Sequence, residues 1–588
     1  MSNPSPVSIP AKVILPARRP GDWVRLIFDE PVKLFMALSV VILAFLVLYP
    51  VFWLFIGSFL YGDQTFSQVF RQFWSMPGLQ TAFYNTALLA AGTMPLAFLF
   101  ALPLAWITAR TDTPLRNIIE LAALLPFITP PLIGAVAWSL LGAPRTGLIN
   151  VAARQFGVTG PVINIYGMGG LIFVSALYLS PFVFVAAKAA LERMDASLED
   201  ASAIAGGSAF RTLRHVVLPL LLPALASSGI IVLTRAMEEF AIPGVLGAPA
   251  GIYTVTTYIF YRAISYMPPR YGVAAILAII LMILTALALW AQTRILGGGR
   301  RFTTIAGRGH RARRQQLGAW RYATLAYALI YLFLAVGLPY LVLIYGAFIK
   351  TWGLLPAPDN LTLMNIVRTF DPALALVNGL RNSVILALSG ATAACLLTLV
   401  TSYMIVSSRS SIRGALDLLS SVPLAMPGPV MAIALLWAYL NPPLMLYGTL
   451  WILGIAYVTS YLPYGVRMTT ASFSQISPEF EHAAAVCGAG RMASFRDILF
   501  PLVLPGVLAG WMLMFVAMVR ELSASVFLYV PGTETASVAL LSMWQEARFT
   551  DVCVLSLVLI ATSVTVVFVV TRLSGASGRQ TGLLARLG

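Results

Sequence analysis

The chain has 588 residues, of which 59% are hydrophobic and only 10% are charged. A soluble globular protein carries about 25% charged residues, so this composition excludes a water-soluble fold and indicates that lipid is the main solvent. The formal net charge of +16 is spread between apolar runs, which favours basic loops beside a membrane over a nucleic-acid-binding domain.

The first predicted element is a basic N-terminal tail, residues 1–33, followed by an apolar run from Leu34 to Leu60. A cleaved signal has an apolar region of only about 7–15 residues, so this run predicts a retained first span. Runs of about 20 apolar residues recur along the chain and predict twelve transmembrane helices. They lie near residues 34–60, 82–109, 118–142, 168–190, 218–240, 273–293, 322–349, 383–407, 415–440, 448–470, 503–525 and 552–572.

The distribution of Lys and Arg gives the orientation of these helices. With the N-terminus in the cytoplasm, most basic residues fall in cytoplasmic segments, as the positive-inside rule requires. The prediction therefore places both the N-terminal tail and the C-terminal tail, residues 574–588, in the cytoplasm.

The chain contains an internal duplication. Residues 199–225 match residues 481–507 without gaps, and earlier in each half Asn85, Pro126 and Pro130 match Asn382, Pro423 and Pro427. Each half has six predicted spans, an even number, so the two repeats have the same orientation. The sequence thus predicts an all-α polytopic membrane protein with transmembrane domains at 34–296 and 322–573, joined by a basic cytoplasmic linker at 297–321.

A short polar segment lies between the fourth and fifth spans of each repeat. In both copies a helix-prone stretch leads to a glycine, Gly206 or Gly488, which can adopt the positive φ that ends a helix. About a dozen residues later a proline, Pro219 or Pro501, is suited to opening the next helix.

These segments resemble the E-A-A-x-x-x-G motif of the permeases of binding-protein-dependent ABC importers. Asp or His stands where the family has its usual Glu, and a Glu lies one residue earlier in each copy. The resemblance implies the type I importer permease fold and a coupling helix that docks in a groove of the ATPase subunit. The predicted ATPase-coupling residues are Glu199, Asp200, Ala201, Gly206 and Pro219, and Glu481, His482, Ala483, Gly488 and Pro501.

The chain carries no nucleotide-binding loop of its own. Such a loop needs Gly-Lys-Ser/Thr, and of the lysines only Lys350 precedes a Thr, with Ile349 before it. The chain is therefore expected not to be an enzyme and to hold no cofactor, with ATP and magnesium bound by a separate ATPase homodimer on the cytoplasmic face. The resemblance also implies a periplasmic substrate-binding protein as partner and a bacterial inner-membrane location, with lipid and no nucleic acid as other partners.

Three carboxylates, Glu238, Glu239 and Glu521, end the fifth and eleventh predicted spans, which places them near the outer mouth. They are either pathway or gate residues or, for the first two, partners of Arg235 in a local helix-surface ion pair. No metal site is predicted, since the three Cys and three His lie at no metal-ligand spacing.

The solute is predicted from resemblance. The fused double-permease layout is similar to iron(III) importer permeases, and related fused permeases import 2-aminoethylphosphonate, phosphorylated sugars or thiamine. Tyrosines near the outer surface could supply phenolate ligands, but an interfacial belt or a docking surface is the simpler interpretation. They are Tyr253, Tyr258, Tyr261, Tyr266 and Tyr271. The alternative class is a secondary transporter driven by an ion gradient, which expects buried carboxylates near mid-membrane.

Overall fold

The computed structural model describes residues 31–59, 66–195, 197–265, 267, 269–298, 315–354, 357–370, 375–407, 412–440, 444–477 and 479–577. Nearly all of the predicted tail 1–33, most of the linker 297–321 and most of the tail 574–588 lie outside these residues.

The regular elements in the described residues of the first half are all helices. Its α-helices are α1 (Pro31–Phe59), α2 (Phe66–Ser75), α3 (Leu79–Arg110), α4 (Arg116–Ala123), α5 (Leu125–Ile128), α6 (Pro131–Gly142), α7 (Leu148–Gln155), α8 (Met168–Arg193), α9 (Ser197–Ile204), α10 (Ala209–Thr212), α11 (Leu218–Glu238), α12 (Val255–Tyr258) and α13 (Tyr271–Gly298). Shorter π- and 3₁₀-helical turns occupy Leu213–Val217, Pro243–Gly247, Ala248–Ala250 and Ile259–Ile264.

The second half follows a similar order, but no helix corresponding to α7 lies between its counterparts of α6 and α8 in the described residues. Its α-helices are α14 (Trp320–Leu332), α15 (Leu338–Ala347), α16 (Met364–Thr369), α17 (Ala375–Ser407), α18 (Ile412–Ser421), α19 (Gly428–Leu440), α20 (Leu450–Phe473), α21 (Glu479–Val486), α22 (Arg491–Ser494), α23 (Phe500–Val519), α24 (Ser525–Leu528), α25 (Ala536–Gln545) and α26 (Phe549–Ser577). The π- and 3₁₀-helical turns are Phe333–Gly337, Pro358–Asn360, Val422–Ala425 and Phe495–Leu499.

The predicted all-α polytopic architecture is confirmed. Among the described residues, nine helices are long and apolar enough to cross a membrane, or eleven if each of two bent helix pairs counts as one span. The predicted tenth span corresponds to α20, which has 24 residues and packs against α17 as its counterpart α8 packs against α3.

The third and ninth spans are not the straight helices that the sequence predicted. The first half bends by 98° between α5 and α6, and the second half bends by 105° before α19. The duplicated prolines, Pro126 and Pro130 in the first half, explain the break, because proline lacks an N–H and clashes with the preceding turn. Nearly all of α6 is buried, which is where lipid-spanning proteins tolerate broken helices.

The fifth and eleventh spans begin earlier than predicted. The helix runs from Ala209 through a π-helical turn into α11, and likewise from Arg491 into α23. Pro219 and Pro501 therefore do not open a new helix. Each lies just after the π-helical turn, where the wider hydrogen-bond register accommodates a residue without an N–H.

The first spans of the two halves are exchanged. In α1, the Tyr49 hydroxyl donates to the carbonyl of Ala438 in α19 at 3.2 Å. In α14, the Tyr331 hydroxyl lies 2.7 Å from that of Ser180 in α8. Each half is thus held partly by the first helix of the other, which the sequence did not predict.

The same asparagine contact occurs in both halves. It lies where the segment after the fifth span of each half returns to the outer end of the bundle. The amide of Asn85 donates to the carbonyl of Tyr253 at 3.0 Å, and that of Asn382 donates to the carbonyl of Glu534 at 3.0 Å. The backbone N–H of Val255 adds a bond to the next side chain, Thr86. The duplicated asparagines thus fix the irregular segments that follow α11 and α23.

Candidate coupling segments and a polar cavity between the halves

Each predicted coupling segment contains a two-turn helix ended by a glycine. α9 leads to Gly206 with φ 80°, and α21 leads to Gly488 with φ 82°. The residue after each glycine donates its N–H back into the helix, Gly207 to the carbonyl of Ser202 at 2.8 Å and Ala489 to that of Ala484 at 2.9 Å. A Cβ at Gly206 or Gly488 would meet no atom within 4 Å, so the backbone conformation, and not space, requires glycine there.

Both segments expose apolar side chains at equivalent positions. Ile204 is 89% exposed and its counterpart Val486 is 88% exposed. At the other end of each helix, Leu198 and Phe480 are also exposed. A repeated apolar surface on a short polar segment is typical of a protein–protein contact.

The other predicted coupling residues lie on or beside the same helices. His482 and Ala483 are exposed on α21, and Ala201 is exposed on α9. Asp200 also belongs to α9, but its side chain lies outside the described part of the structure. Glu199 and Glu481 differ in surroundings: a carboxylate oxygen of Glu199 lies 3.4 Å from the guanidinium of Arg110, whereas Glu481 makes no ion pair with any described residue.

A polar cavity of about 120 Å³ lies between the two halves. Its first-half wall is the end of α11, and its second-half walls come from the break before α19, from α20 and from the end of α23. The lining residues are Arg235, Glu238, Glu239, Pro423, Leu424, Met426, Pro427, Gly428, Ser460, Tyr461, Tyr464, Glu521 and Ser523. All three carboxylates that the sequence singled out therefore meet in one place.

Their predicted position near the outer mouth is wrong. The cavity also contacts Tyr461 and Tyr464, near the middle of α20. The chain does not leave the bundle after Glu239: it continues through buried residues, among them Phe240 and Val245, before it reaches the outer end. Helix length alone could not reveal this buried continuation.

Glu239 and Glu521 occupy equivalent positions, and each accepts backbone N–H groups from the residues that follow it. Glu239 accepts the backbone N–H of Ala241 at 2.9 Å. Glu521 accepts the N–H groups of Ala524 at 2.7 Å and Ser525 at 3.0 Å. Each carboxylate thereby caps the short turn after its long helix, satisfying N–H groups that have no partner within the helix.

Two arginines connect the halves beside this cavity. Arg235 donates to Glu238 at 3.1 Å, which confirms the predicted local ion pair, and also to the Tyr464 hydroxyl of the other half. Arg520 donates to the carbonyl of Phe127 in the first half, and its guanidinium lies 5.4 Å from the centroid of the Phe127 ring. Arg235 of the first half thus contacts the second half, and Arg520 of the second half contacts the first.

The family described as binding-protein-dependent transport system inner membrane component matches the chain twice, at residues 94–297 and 390–581. The two matches cover more than half of the chain. The chain belongs to this family. It is therefore a multi-pass permease of an ABC importer in the inner membrane, with both permease units fused in one chain.

This permease is similar to transport proteins from other bacteria. The ferric transport system permease protein FbpB of Actinobacillus pleuropneumoniae is 26% identical over 517 residues, covering 87% of this chain and 74% of the relative. The putative 2-aminoethylphosphonate transport system permease protein PhnV of Salmonella paratyphi A is 26% identical over 165 residues, 28% of this chain and 62% of the relative. A crystal structure of a bacterial ABC transporter involved in alginate import is 20% identical, with a TM-score of 0.39, and covers 48% of this chain and 100% of that chain.

Two of the tyrosines predicted near the outer surface, Tyr258 and Tyr261, have hydroxyls engaged in hydrogen bonds within the permease. The Tyr258 hydroxyl donates to the carbonyl of Pro77 at 2.9 Å, and the Tyr261 hydroxyl accepts from Gln545 at 3.2 Å. Burial raises the pKa of both phenols above their ordinary value, so both stay protonated at neutral pH. Tyr266 lies outside the described residues. The described part of the chain also contains no group of three or more His, Cys, Asp or Glu arranged to hold a metal ion.

Sequence reasoning missed the arginines that connect the halves of the permease. It noted Arg235 only as a local partner of the acids and gave Arg520 no role. A signal was present, because a charged residue inside a predicted span is costly in lipid and calls for a partner. The partners themselves could not be found, since Tyr464 and Phe127 are far away in the sequence.

Proposed function

We propose that this permease moves a solute from a periplasmic binding protein into the cytoplasm, driven by a separate ATPase homodimer that docks on both coupling segments. ATP and magnesium are bound by that partner, and both termini of the permease lie in the cytoplasm. The observation that carries the proposal is the matched pair of exposed apolar side chains, Ile204 and Val486, on two equivalent short helices.

The helices that follow the coupling segments provide a direct mechanical route to the cavity. The helical run Leu213–Glu238 has 26 residues, which corresponds to about 39 Å at 1.5 Å per residue. Its cytoplasmic end adjoins the first coupling segment and its other end carries Arg235 and Glu238. A helix transmits displacement along its axis, so movement of the ATPase reaches the cavity through one rigid element.

The same route exists in the second half. The run Met492–Val519 connects the second coupling segment to Arg520 and Glu521. When ATP binding draws the two ATPase subunits together, both helices move and the contacts of Arg235 and Arg520 across the interface exchange partners. The cavity then opens alternately to the two sides of the membrane, and the three carboxylates act as pathway and gate residues.

The proposed docking can be tested with a cysteine that the chain already has. Cys487 is exposed and lies between Val486 and Gly488, whereas Cys395 is only partly accessible and Cys553 is buried. Docking of the ATPase should protect Cys487 from a maleimide reagent added to inside-out vesicles. Ala205→Cys in a Cys487→Ser background places the probe at the equivalent position of the first half and should show the same protection. Unchanged labelling of both positions with and without the ATPase would contradict the proposal.

The solute proposed is iron(III). The relatives named for ferric transport span most of the chain, and the cavity presents carboxylate, phenol and hydroxyl oxygens, the hard ligands that suit ferric ion. The alternative solutes are 2-aminoethylphosphonate, a phosphorylated sugar and thiamine. A shorter relative supports the first of these.

Uptake into proteoliposomes distinguishes these solutes. The complete complex, with its binding protein and ATPase, should accumulate ferric ion and exclude labelled 2-aminoethylphosphonate. Accumulation of the phosphonate alone would reverse the assignment. Accumulation of either solute without the ATPase, under an ion gradient, would favour a secondary transporter instead.

A further inference from the structure

The end of the linker between the two halves is attached to the first half. The backbone N–H of Gln315 donates to the carbonyl of Arg110 at 2.8 Å, and the N–H of Asp112 donates to the carbonyl of Gln315 at 3.3 Å. The Asp112 carboxylate also accepts the N–H of Leu317 at 3.0 Å. These bonds join the linker to the chain just after α3.

The side chain of Gln315 continues this attachment to the first coupling segment. Its amide donates to one carboxylate oxygen of Glu199, on α9, at 3.2 Å. The other carboxylate oxygen lies 3.4 Å from the guanidinium of Arg110. Arg110 in turn donates to the carbonyl of Met194, shortly before α9, at 2.9 Å. One arginine and one glutamine thus hold α9 from two sides.

The buried guanidinium of Arg110 requires the carboxylate of Glu199 as its counter-charge. Its side chain is almost completely buried, and its Nε and Nη1 atoms have no hydrogen-bond partner among the described residues. A buried charge with part of its donors unsatisfied tolerates the loss of its carboxylate poorly. The pairing with Glu199 is therefore expected to be rigid.

The second half has no such arrangement among its described residues. Glu481 matches Glu199, but the residue that matches Arg110 is Ser407, which carries no charge. In the described part of the chain Glu481 makes no ion pair. Among the described residues, the two coupling segments are equivalent in backbone geometry, and only the first makes this ion pair and this contact with the end of the linker.

We propose that Arg110 and Gln315 are positioning residues for the first coupling segment, so that the end of the linker forms part of the transmission path in one half only. The inference rests on the proposed coupling function. It implies that α9 is held in place before the ATPase docks, whereas α21 is ordered mainly by the docking itself. The linker then couples the second half of the permease to the ATPase contact of the first.

The mobility of spin labels on the isolated permease tests the positioning directly. One label is attached at Cys487, and another at Ala205→Cys in a Cys487→Ser background; both positions are exposed. Gln315→Ala should increase the mobility at position 205, because the hydrogen bond from Gln315 to Glu199 on α9 is lost, and should leave position 487 unchanged. Gln316→Ala is the matched control, since Gln316 is the exposed neighbour and makes none of these contacts. Equal spectra for the two variants, or equal changes at both labels, would overturn the inference.

A second measurement uses the ATPase, titrated onto the permease in nanodiscs. Gln315→Ala should raise the concentration needed for half-maximal binding by about threefold, and Gln316→Ala should not. Arg110→Glu should weaken binding more strongly, and adding Glu199→Arg should restore part of it by reversing the ion pair. If Arg110→Glu does not fold, the comparison of Gln315→Ala with Gln316→Ala is sufficient by itself.

The outcomes separate the two proposals. Wild-type permease that does not bind the ATPase would contradict the proposed function. Wild-type permease that binds, together with identical behaviour of Gln315→Ala and Gln316→Ala, would contradict only the positioning role.

Discussion

The guanidinium of Arg235, in the first half, donates a hydrogen bond to the hydroxyl of Tyr464, in the second half. Arg520 makes the reverse connection to the carbonyl of Phe127. Each arginine lies near or just beyond the end of a helix that begins at a coupling segment. Under the proposed function, movement of the ATPase would therefore change the interface between the halves at these two contacts.

Loss of the Tyr464 hydroxyl should loosen the interface between the two halves. A hydrogen bond between a charged and a neutral group contributes about 1.5–3 kcal/mol, so Tyr464→Phe should increase ATP hydrolysis in the absence of the binding protein by at least threefold. The assay is the basal ATPase rate of the reconstituted complex. Tyr322→Phe, at an exposed position on α14, is the control and should behave like wild type. Basal rates that do not differ would show that this bond does not hold the gate.

Substitution of the coupling glycines should uncouple hydrolysis from uptake. Gly206 and Gly488 have positive φ, where a side chain costs about 1–2 kcal/mol, so Gly206→Val and Gly488→Val should lower uptake per ATP hydrolysed by several fold. Asn tolerates this conformation better, so Gly206→Asn should be milder. Gly414→Ala, on an exposed helical surface with open space around it, is the control. Unchanged uptake in both valine variants would count against the coupling role.

The carboxylate cap of Glu521 should be more sensitive to substitution than its counterpart. Glu521 is 6% exposed and accepts two backbone N–H groups and the hydroxyl of Ser525. Glu521→Ala should therefore lower the unfolding temperature and uptake, with loss of the cap contributing about 1–2 kcal/mol. Glu239→Ala removes the backbone bond from Ala241 and no bond to a hydroxyl, so it should cost less. The comparison needs thermal unfolding in detergent and uptake in proteoliposomes; a larger effect at Glu239 would refute the ranking.

The exchange of the first spans predicts a steric effect at Gly57. A Cβ there would lie 2.3 Å from the Trp437 ring in the other half, and overpacking costs about 1–3 kcal/mol. Gly57→Ala should therefore lower the unfolding temperature of the permease. Gly169→Ala, near the start of α8 with no neighbouring atom within 4 Å, should leave it unchanged. Equal unfolding temperatures would mean that α1 does not pack against the second half this closely.

The sequence alone predicted the features that depend on local pattern. Apolar runs predicted the membrane helices, and the duplication predicted two equivalent halves with short helices ended by Gly206 and Gly488. It also placed Pro126 and Pro130 in the register of Pro423 and Pro427. It did not predict the bends of about a right angle at those prolines. Such a bend is stable only where neighbouring helices bury the exposed backbone.

The tertiary structure decided which residues meet. Hydropathy and helix length report how far a segment extends but not how it tilts or which half it packs against. The exchange of α1 and α14, the depth of Glu239, the partners of Arg235 and Arg520 and the attachment of Gln315 to Glu199 all depend on packing between distant segments. Contacts between such segments depend on the shape of the whole bundle, which the local sequence does not specify.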